Sequence, residues 1–273
     1  MSHLALIVGR GRLPHLLADR LMAEGRPPIM AELEGFESLS RVREGVERFR
    51  LERLIPFLDR LQDLGVTEVV FAGAVHRIRL DPALIDPATM QVLPRIMAAM
   101  QQGDDGTLRE VIALMDEWGI TVRGVQDVCP DLVADKGVLG TVVPMDQDKK
   151  DAARGFAILQ AMGVADVGQG CIVAHGQCLA VEALPGTDAM LAHLAGLRDA
   201  GAELPAGGVF CKAPKPAQDR RIDLPALGPE TVEGAHRAGL RGVAFEAGGV
   251  LLIDRAEMVA RADALGLFLW ARA

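Results

Sequence analysis

At 273 residues, half hydrophobic and 24% charged, the chain holds enough apolar material for one large domain or two smaller ones. A formal net charge of −8 argues against a general binder of nucleic acid or of anionic membrane, because counterion release needs a basic face. Tyrosine is absent and aromatic residues are scarce, which also argues against base-stacking platforms, and there is no run of about 18 apolar residues to span a bilayer.

The first half alternates strand and helix patterns. Residues 4–8 (LALIV) read as a buried strand and GRGR (9–12) as a glycine loop. A helix with Leu13, Leu16, Leu17 and Leu21 on one face then runs to Gly25. A second strand is expected at 28–33, a helix at 51–64 and a β-branched strand at 67–72 ending in Gly73. Helices at 82–100 and 104–118 and a strand at 120–125 follow. Such alternation predicts a parallel sheet with helices on both faces. Residues 127–145 break the rhythm with Pro, Gly and short apolar runs and mark a joint between domains. We set the domains at 1–135 and 136–273, with a cleft between them.

The second half differs. A helix is expected at 146–162 and a hairpin at 171–175 and 178–183 around Gly176-Gln177. Strands are expected at 207–213, 243–246 and 250–254, with helices near 188–200, 230–239 and 256–264. The fold expected is α/β, with a Rossmann-like first half and a mixed α/β second half. The four cysteines, Cys129, Cys171, Cys178 and Cys211, lack a CxxC pair, and no secretory leader opens the chain. Reduced thiols and a cytoplasmic location are the expectation.

Gly9 and Gly11 follow the first strand, where a phosphate-binding turn stands in dinucleotide folds, but Pro14 occupies the third glycine position. The alternative is a tight strand-to-helix turn. Gly73, Ala74 and His76 (GAVHR) lie at the end of another expected strand, so the two loops mark one crevice. In GDDGT (103–107), Asp104 or Asp105 reads as a helix cap. Glu182 falls in an apolar strand and needs a partner there, either a lysine of 212–215 or a cation. Thr187 and Asp188 open a helix after a Pro-Gly turn. Asp188 is a candidate cap, and the backbone amides there are a candidate phosphate site. Glu246 ends another apolar strand, with a structural or a site-supporting role open.

The richest stretch is 207–231, GGVFCKAPKPAQDRRIDLPALGPET. Lys212 and Lys215 offer point charges, and Arg220 and Arg221 offer planar forks suited to phosphate. Pro216 and Pro225 make a regular helix implausible, so an ordered loop is expected. Asp219 and Asp223, beside four cations, are poor free bases but suitable magnesium ligands or orienters of water. The alternative is a salt-bridged surface loop. Zinc, Walker, Nudix and nucleophile-elbow patterns are absent.

Taken in order, GRGRLP, GAVHR, GDDGTL, VEALPGTDAML, KAPKPAQDRRIDLPALGPETV and VAFEAGGVLLID resemble the UDP-2,3-diacylglucosamine pyrophosphatase family of lipid A biosynthesis. The form meant is the one distinct from the calcineurin-like phosphoesterases. The resemblance implies a magnesium-dependent hydrolase yielding UMP and 2,3-diacylglucosamine 1-phosphate, with water attacking the phosphorus nearer the sugar. Lys212, Lys215, Gln218, Asp219, Arg221 and Asp223 match the family's charged motif, and we expect Lys212, Lys215, Asp219 and Asp223 in catalysis and Asp223, Asp219 and, from its place in the strand, Glu182 toward the metal. Substrate contacts are expected at Gly9, Gly11, Leu13, Gly73, Ala74, His76, Thr187, Asp188, Gln218 and Arg221. It also implies a homodimer, with transient contact at the inner membrane surface. Arg10 and Arg12 depart from the small or acidic residues common in that family's glycine loop. Two rival readings are a nicotinamide-dependent oxidoreductase, for which Glu32 and Glu34 stand near the ribose position, and a non-catalytic nucleotide-sugar sensor.

Overall fold

The computed structural model describes residues 4–75, 80–101, 104–216 and 218–273, with Asp104, Asp105 and Leu108 as backbone only. The chain forms two compact units. One comprises residues 1–129 together with 221–223, and the other comprises 130–220 and 224–273.

In unit one, β1 (Leu4–Val8), β2 (Ile29–Leu33), β3 (Glu47–Phe49), β4 (Glu68–Ala72) and β5 (Thr121–Arg123) form one sheet, in the order β3-β2-β1-β4-β5. Every pairing is parallel. This is the strand order of a Rossmann-like half. All five residues of β1 are buried, which is why its sequence is a continuous apolar run rather than an alternation. Helices α1 (Arg12–Ala23), α2 (Leu54–Asp63), α3 (Pro87–Met100) and α4 (Asp104–Glu117), with the short α5 (Val125–Val128), complete the unit. Gly25 and Gly65, both at positive φ, follow α1 and α2, as helix stops commonly require. The α2 face of Leu54, Ile55, Phe57, Leu58 and Leu61 packs into a core with Ala5, Ile7, Phe49 and Val69.

The helix expected over 82–100 begins only at Pro87. Asp86 caps it, accepting hydrogen bonds from the N–H groups of Ala88 at 2.9 Å and Thr89 at 3.2 Å. A residue before proline is driven to extended backbone, so Asp86-Pro87 is a start signal, and Pro82–Leu84 forms a separate 3-10 turn.

In unit two, β6 (Gly137–Leu139), β7 (Gly170–Ala174), β8 (Gln177–Val181), β9 (Val209–Lys212), β11 (Gly242–Glu246) and β13 (Phe268–Arg272) form a six-stranded sheet, ordered β6-β13-β11-β9-β7-β8. Strands β9, β11 and β13 are parallel, and the other three join antiparallel. A small pair, β10 (Ala226–Leu227) with β12 (Leu251–Leu252), stands apart, so the strand expected at 250–254 is only two residues long. The helices are α6 (Asp146–Val164), α7 (Gly186–Asp199), α8 (Pro229–Arg237) and α9 (Arg255–Leu265). Alternation along β9 sends Val209 and Cys211 to the α6 side, and Phe210 to the side covered by α7, α8 and α9. The β7–β8 turn sits at His175-Gly176, both at positive φ, one residue earlier than expected. Asp151 of α6 fixes it by accepting the N–H groups of His175 at 2.9 Å and Gly176 at 2.7 Å. Among the described residues no helix is long and apolar enough to cross a membrane.

Candidate active site

The period of two along β9 decides the fate of Lys212. It shares the Phe210 face, points toward the start of α7 and is only 5% exposed. Its ammonium donates to Glu182 Oε2 at 3.2 Å and to Thr187 Oγ1, and the Thr187 hydroxyl donates to Glu182 Oε2 at 3.0 Å. Of the two partners left open for Glu182, the structure places the lysine. Gly170 makes room: a Cβ there would stand 2.3 Å from Glu182 Oε2 and 2.9 Å from the Phe210 ring. The three side chains therefore form one charge-compensated group, with Lys212 buried and Glu182 and Thr187 partly buried.

The loop after β9 is irregular, as its prolines require, and is tied down at several points. The Ala213 N–H donates to the Gln169 carbonyl at 3.1 Å. Lys215 Nζ pairs with Asp166. Gln218 is 6% exposed, and its Oε1 accepts from Gln169 Nε2 at 2.5 Å and from the Lys215 N–H at 3.0 Å. Arg220 pairs with Glu246 at 2.7 Å, which gives Glu246 a loop-anchoring role. Gly249 permits that contact, since a Cβ there would lie 2.6 Å from Glu246 Oε1. Arg221 and Asp223, both exposed, belong to unit one, and Ile222 between them packs against the unit-one core.

In unit one the two glycine turns are laced together. The Gly9 N–H donates to the Ala72 carbonyl at 2.8 Å, and Arg10 and Ala74 exchange two backbone bonds of 2.9 Å each. A Cβ on Gly9 would meet the Ala74 carbonyl oxygen at 2.4 Å, and one on Gly73 the Arg10 oxygen at 2.6 Å. The two loops thus meet, but the N–H groups of Gly9, Arg10 and Ala74 are taken by the carbonyls of Ala72, Ala74 and Arg10. Gly11, at φ 110, precedes α1, and Leu13 lies half-buried in its first turn. Pro14 removes one of the donors a phosphate cradle would use. His76 lies outside the described residues, as do the side chains of Asp104 and Asp105. Asp188 is exposed in the first turn of α7 and is not its cap. The Pro-Gly turn runs straight into the helix, with the Gly186 N–H bonded to the Ala183 carbonyl at 2.8 Å.

Glu32, fully buried, turns its carboxylate onto the backbone N–H groups of Ser38, Leu39 and Ser40. That removes it from the ribose role a nicotinamide enzyme would ask of it. The four cysteines form no disulfide, and Cys129, Cys171 and Cys211 are buried. The hydrogen bond with Cys171, together with burial, pushes the Cys211 thiol well up, and burial raises Cys178. Neither has the low-pKa thiolate of a nucleophile.

Among the described residues no three His, Cys, Asp or Glu side chains gather into a metal cage. Magnesium does not demand one, because it keeps waters and takes one or two carboxylates plus substrate phosphates. Asp219 and Asp223 supply hard carboxylate oxygens of that kind. Glu182 does not fit, since its charge is already matched by Lys212.

The signals that sequence reasoning missed are Asp166, Gln169 and Gly163, which lie in a bland GVADVGQ run from the end of α6 to the start of β7. No chemical motif marks them; only the packing shows that they hold the charged loop. Residues 3–132 match the model of the LpxI N-terminal domain, and residues 135–270 match that of the LpxI C-terminal domain. The chain is similar to the UDP-2,3-diacylglucosamine pyrophosphatase LpxI of Caulobacter vibrioides, at 37% identity over 270 residues, covering 98% of this chain and 96% of that protein. Two domain models in the right order and a full-length relative show that this chain belongs to the LpxI family.

Proposed function

We propose that the protein hydrolyses UDP-2,3-diacylglucosamine to 2,3-diacylglucosamine 1-phosphate and UMP. The reading is carried by the anchored cationic loop 212–221, in a chain similar over its whole length to a pyrophosphatase of that name. In the proposed reaction a water oxygen bonds to the phosphorus nearer the sugar. The bond from that phosphorus to the bridging oxygen breaks, and UMP leaves with the electron pair. Lys215 and Arg221 draw charge from the phosphate oxygens, the fork of Arg221 fixing their orientation. Lys212, held by Glu182 and Thr187 with its charge matched, fixes the end of β9 from which the loop departs. Asp223 and Asp219 would hold magnesium or orient the water; the ion, when bound, would neutralise the phosphate oxygens. The turns at Gly9–Gly11 and Gly73–Ala74 contribute shape to the nucleotide site more than amide donors, given their mutual bonds. Homodimerisation and transient contact with the inner membrane from the cytoplasmic side belong to the same proposal.

The test is turnover of UDP-2,3-diacylglucosamine in water enriched in ¹⁸O. We expect the label in the sugar phosphate and none in UMP; label in UMP would reverse the point of attack. Chelation should abolish turnover and magnesium restore it. Asp223→Ala should lower kcat by about a hundredfold or more, the scale of losing a positioned proton-handling or water-orienting group. Full activity of that variant removes Asp223 from the mechanism. Tight UDP-sugar binding without turnover under any divalent cation would favour the sensor reading.

A further inference from the structure

We propose that the segment 163–169, from the last turn of α6 to the start of β7, is a positioning element for Lys215, acting chiefly through Gln169; this rests on the reading of Lys215 as a phosphate-handling group. Four contacts converge on the loop from this one segment. Asp166 holds the Lys215 ammonium. The Gln169 carbonyl takes the Ala213 N–H at 3.1 Å. The Gln169 amide binds Gln218 Oε1, which also takes the Lys215 N–H, so the side chain of Gln218 closes the loop on itself. Gly163 lets the loop lie against α6, since a Cβ there would stand 2.4 Å from Pro216 Cδ. Asp166 reaches Lys215 from a left-handed backbone at φ 53, a conformation uncommon outside glycine but accessible to aspartate.

The physical purpose is preorganisation. A lysine on a four-carbon stem samples many rotamers, and a loop with two prolines has few backbone bonds of its own. Fixing both before a phosphate arrives moves the ordering cost from the binding step to folding. Gln169 touches no reacting atom in this scheme; it acts through the loop that carries Lys215.

The experiment is a double-mutant cycle on kcat/KM with UDP-2,3-diacylglucosamine, using Gln169→Leu, Lys215→Ala and the pair. Gln169→Leu should lower kcat/KM roughly tenfold, as small misplacements of a positioned group do. In the Lys215→Ala background the same change should cost less than about twofold, because the group it positions is gone. A Gln169→Leu enzyme at the wild-type rate, or an equal loss in both backgrounds, overturns the proposal. If Gln169→Leu does not melt cooperatively, Asp166→Ala, altering a half-exposed carboxylate, carries the same cycle with the same outcomes. If the wild type itself shows no turnover, the functional reading fails, and positioning is then judged by amide hydrogen exchange. Faster exchange at Lys215 and Gln218 in Gln169→Leu supports it, and unchanged exchange overturns it.

Discussion

Lys212 and Glu182 show how much one burial pattern decides. Each alone is a costly group to place away from water, and together they compensate. Lys212→Met should leave a largely buried carboxylate without its cation and cost roughly 3 kcal/mol. Adding Glu182→Gln should recover part of that loss, so the coupling appears as a non-additive shift in the urea midpoint. Additive losses would show that the pair is not energetically linked. The need of Glu182 for a partner was legible from its apolar neighbours. The choice of Lys212 over a cation was not, because it depends on which face of β9 the lysine takes once β9 is paired with β7 and β11. Gln169 had no signal at all: a polar residue in a short turn is ordinary, and its role comes from where Gln218 returns.

Element-scale stability has a pH signature at the start of the second unit. Asp263 of α9 accepts the Thr141 N–H at 2.7 Å and its hydroxyl at 2.9 Å. These bonds, the backbone one foremost, hold the Asp263 carboxyl below the usual range. A carboxylate lowered in the folded state adds stability above its unfolded value near 4, and that contribution is lost as pH falls through the folded value. The Tm difference between wild type and Asp263→Asn should therefore be present at pH 7 and shrink progressively as pH falls below about 4. A difference that persists in acid would assign the effect to packing instead. Among the elements, β1 and β4 were readable because they are apolar runs bounded by glycine and covered on both faces. The three-residue strands β3 and β6 were not, because a strand that short carries no period; β5, equally short, was read from the longer run 120–125 around it. β13 was missed although Phe268 and Leu269 are buried; it follows α9 almost directly, and only its partners β6 and β11 identify it as an interior strand.

At the scale of the whole molecule, the two units differ in how far each is self-contained along the chain. The core clusters of the second draw on residues 134–271 alone, so a fragment spanning 130–273 should fold and melt cooperatively by circular dichroism. The first unit takes Ile222 from far along the sequence. A fragment spanning 1–129 should therefore melt lower than unit one does within the full chain, and equal melting would show that Ile222 contributes little.

The amino-acid sequence alone determined the α/β class, the change of character near the middle, and the cationic loop with its two acids. These rest on local quantities: apolar period, glycine and proline positions, and charge density. Tertiary structure decided which charges face inward, that Glu32 caps a backbone turn and that Glu182 neutralises a lysine. It also decided that residues 163–169 carry the loop. The lysine pair and the anchoring of the loop depend on strand register and on contacts between residues 30 or more positions apart, as between Glu182 and Lys212, so no short window of sequence contains them. The Glu32 contacts span only six to eight positions, but they depend on how the chain turns after β2, which no motif marks.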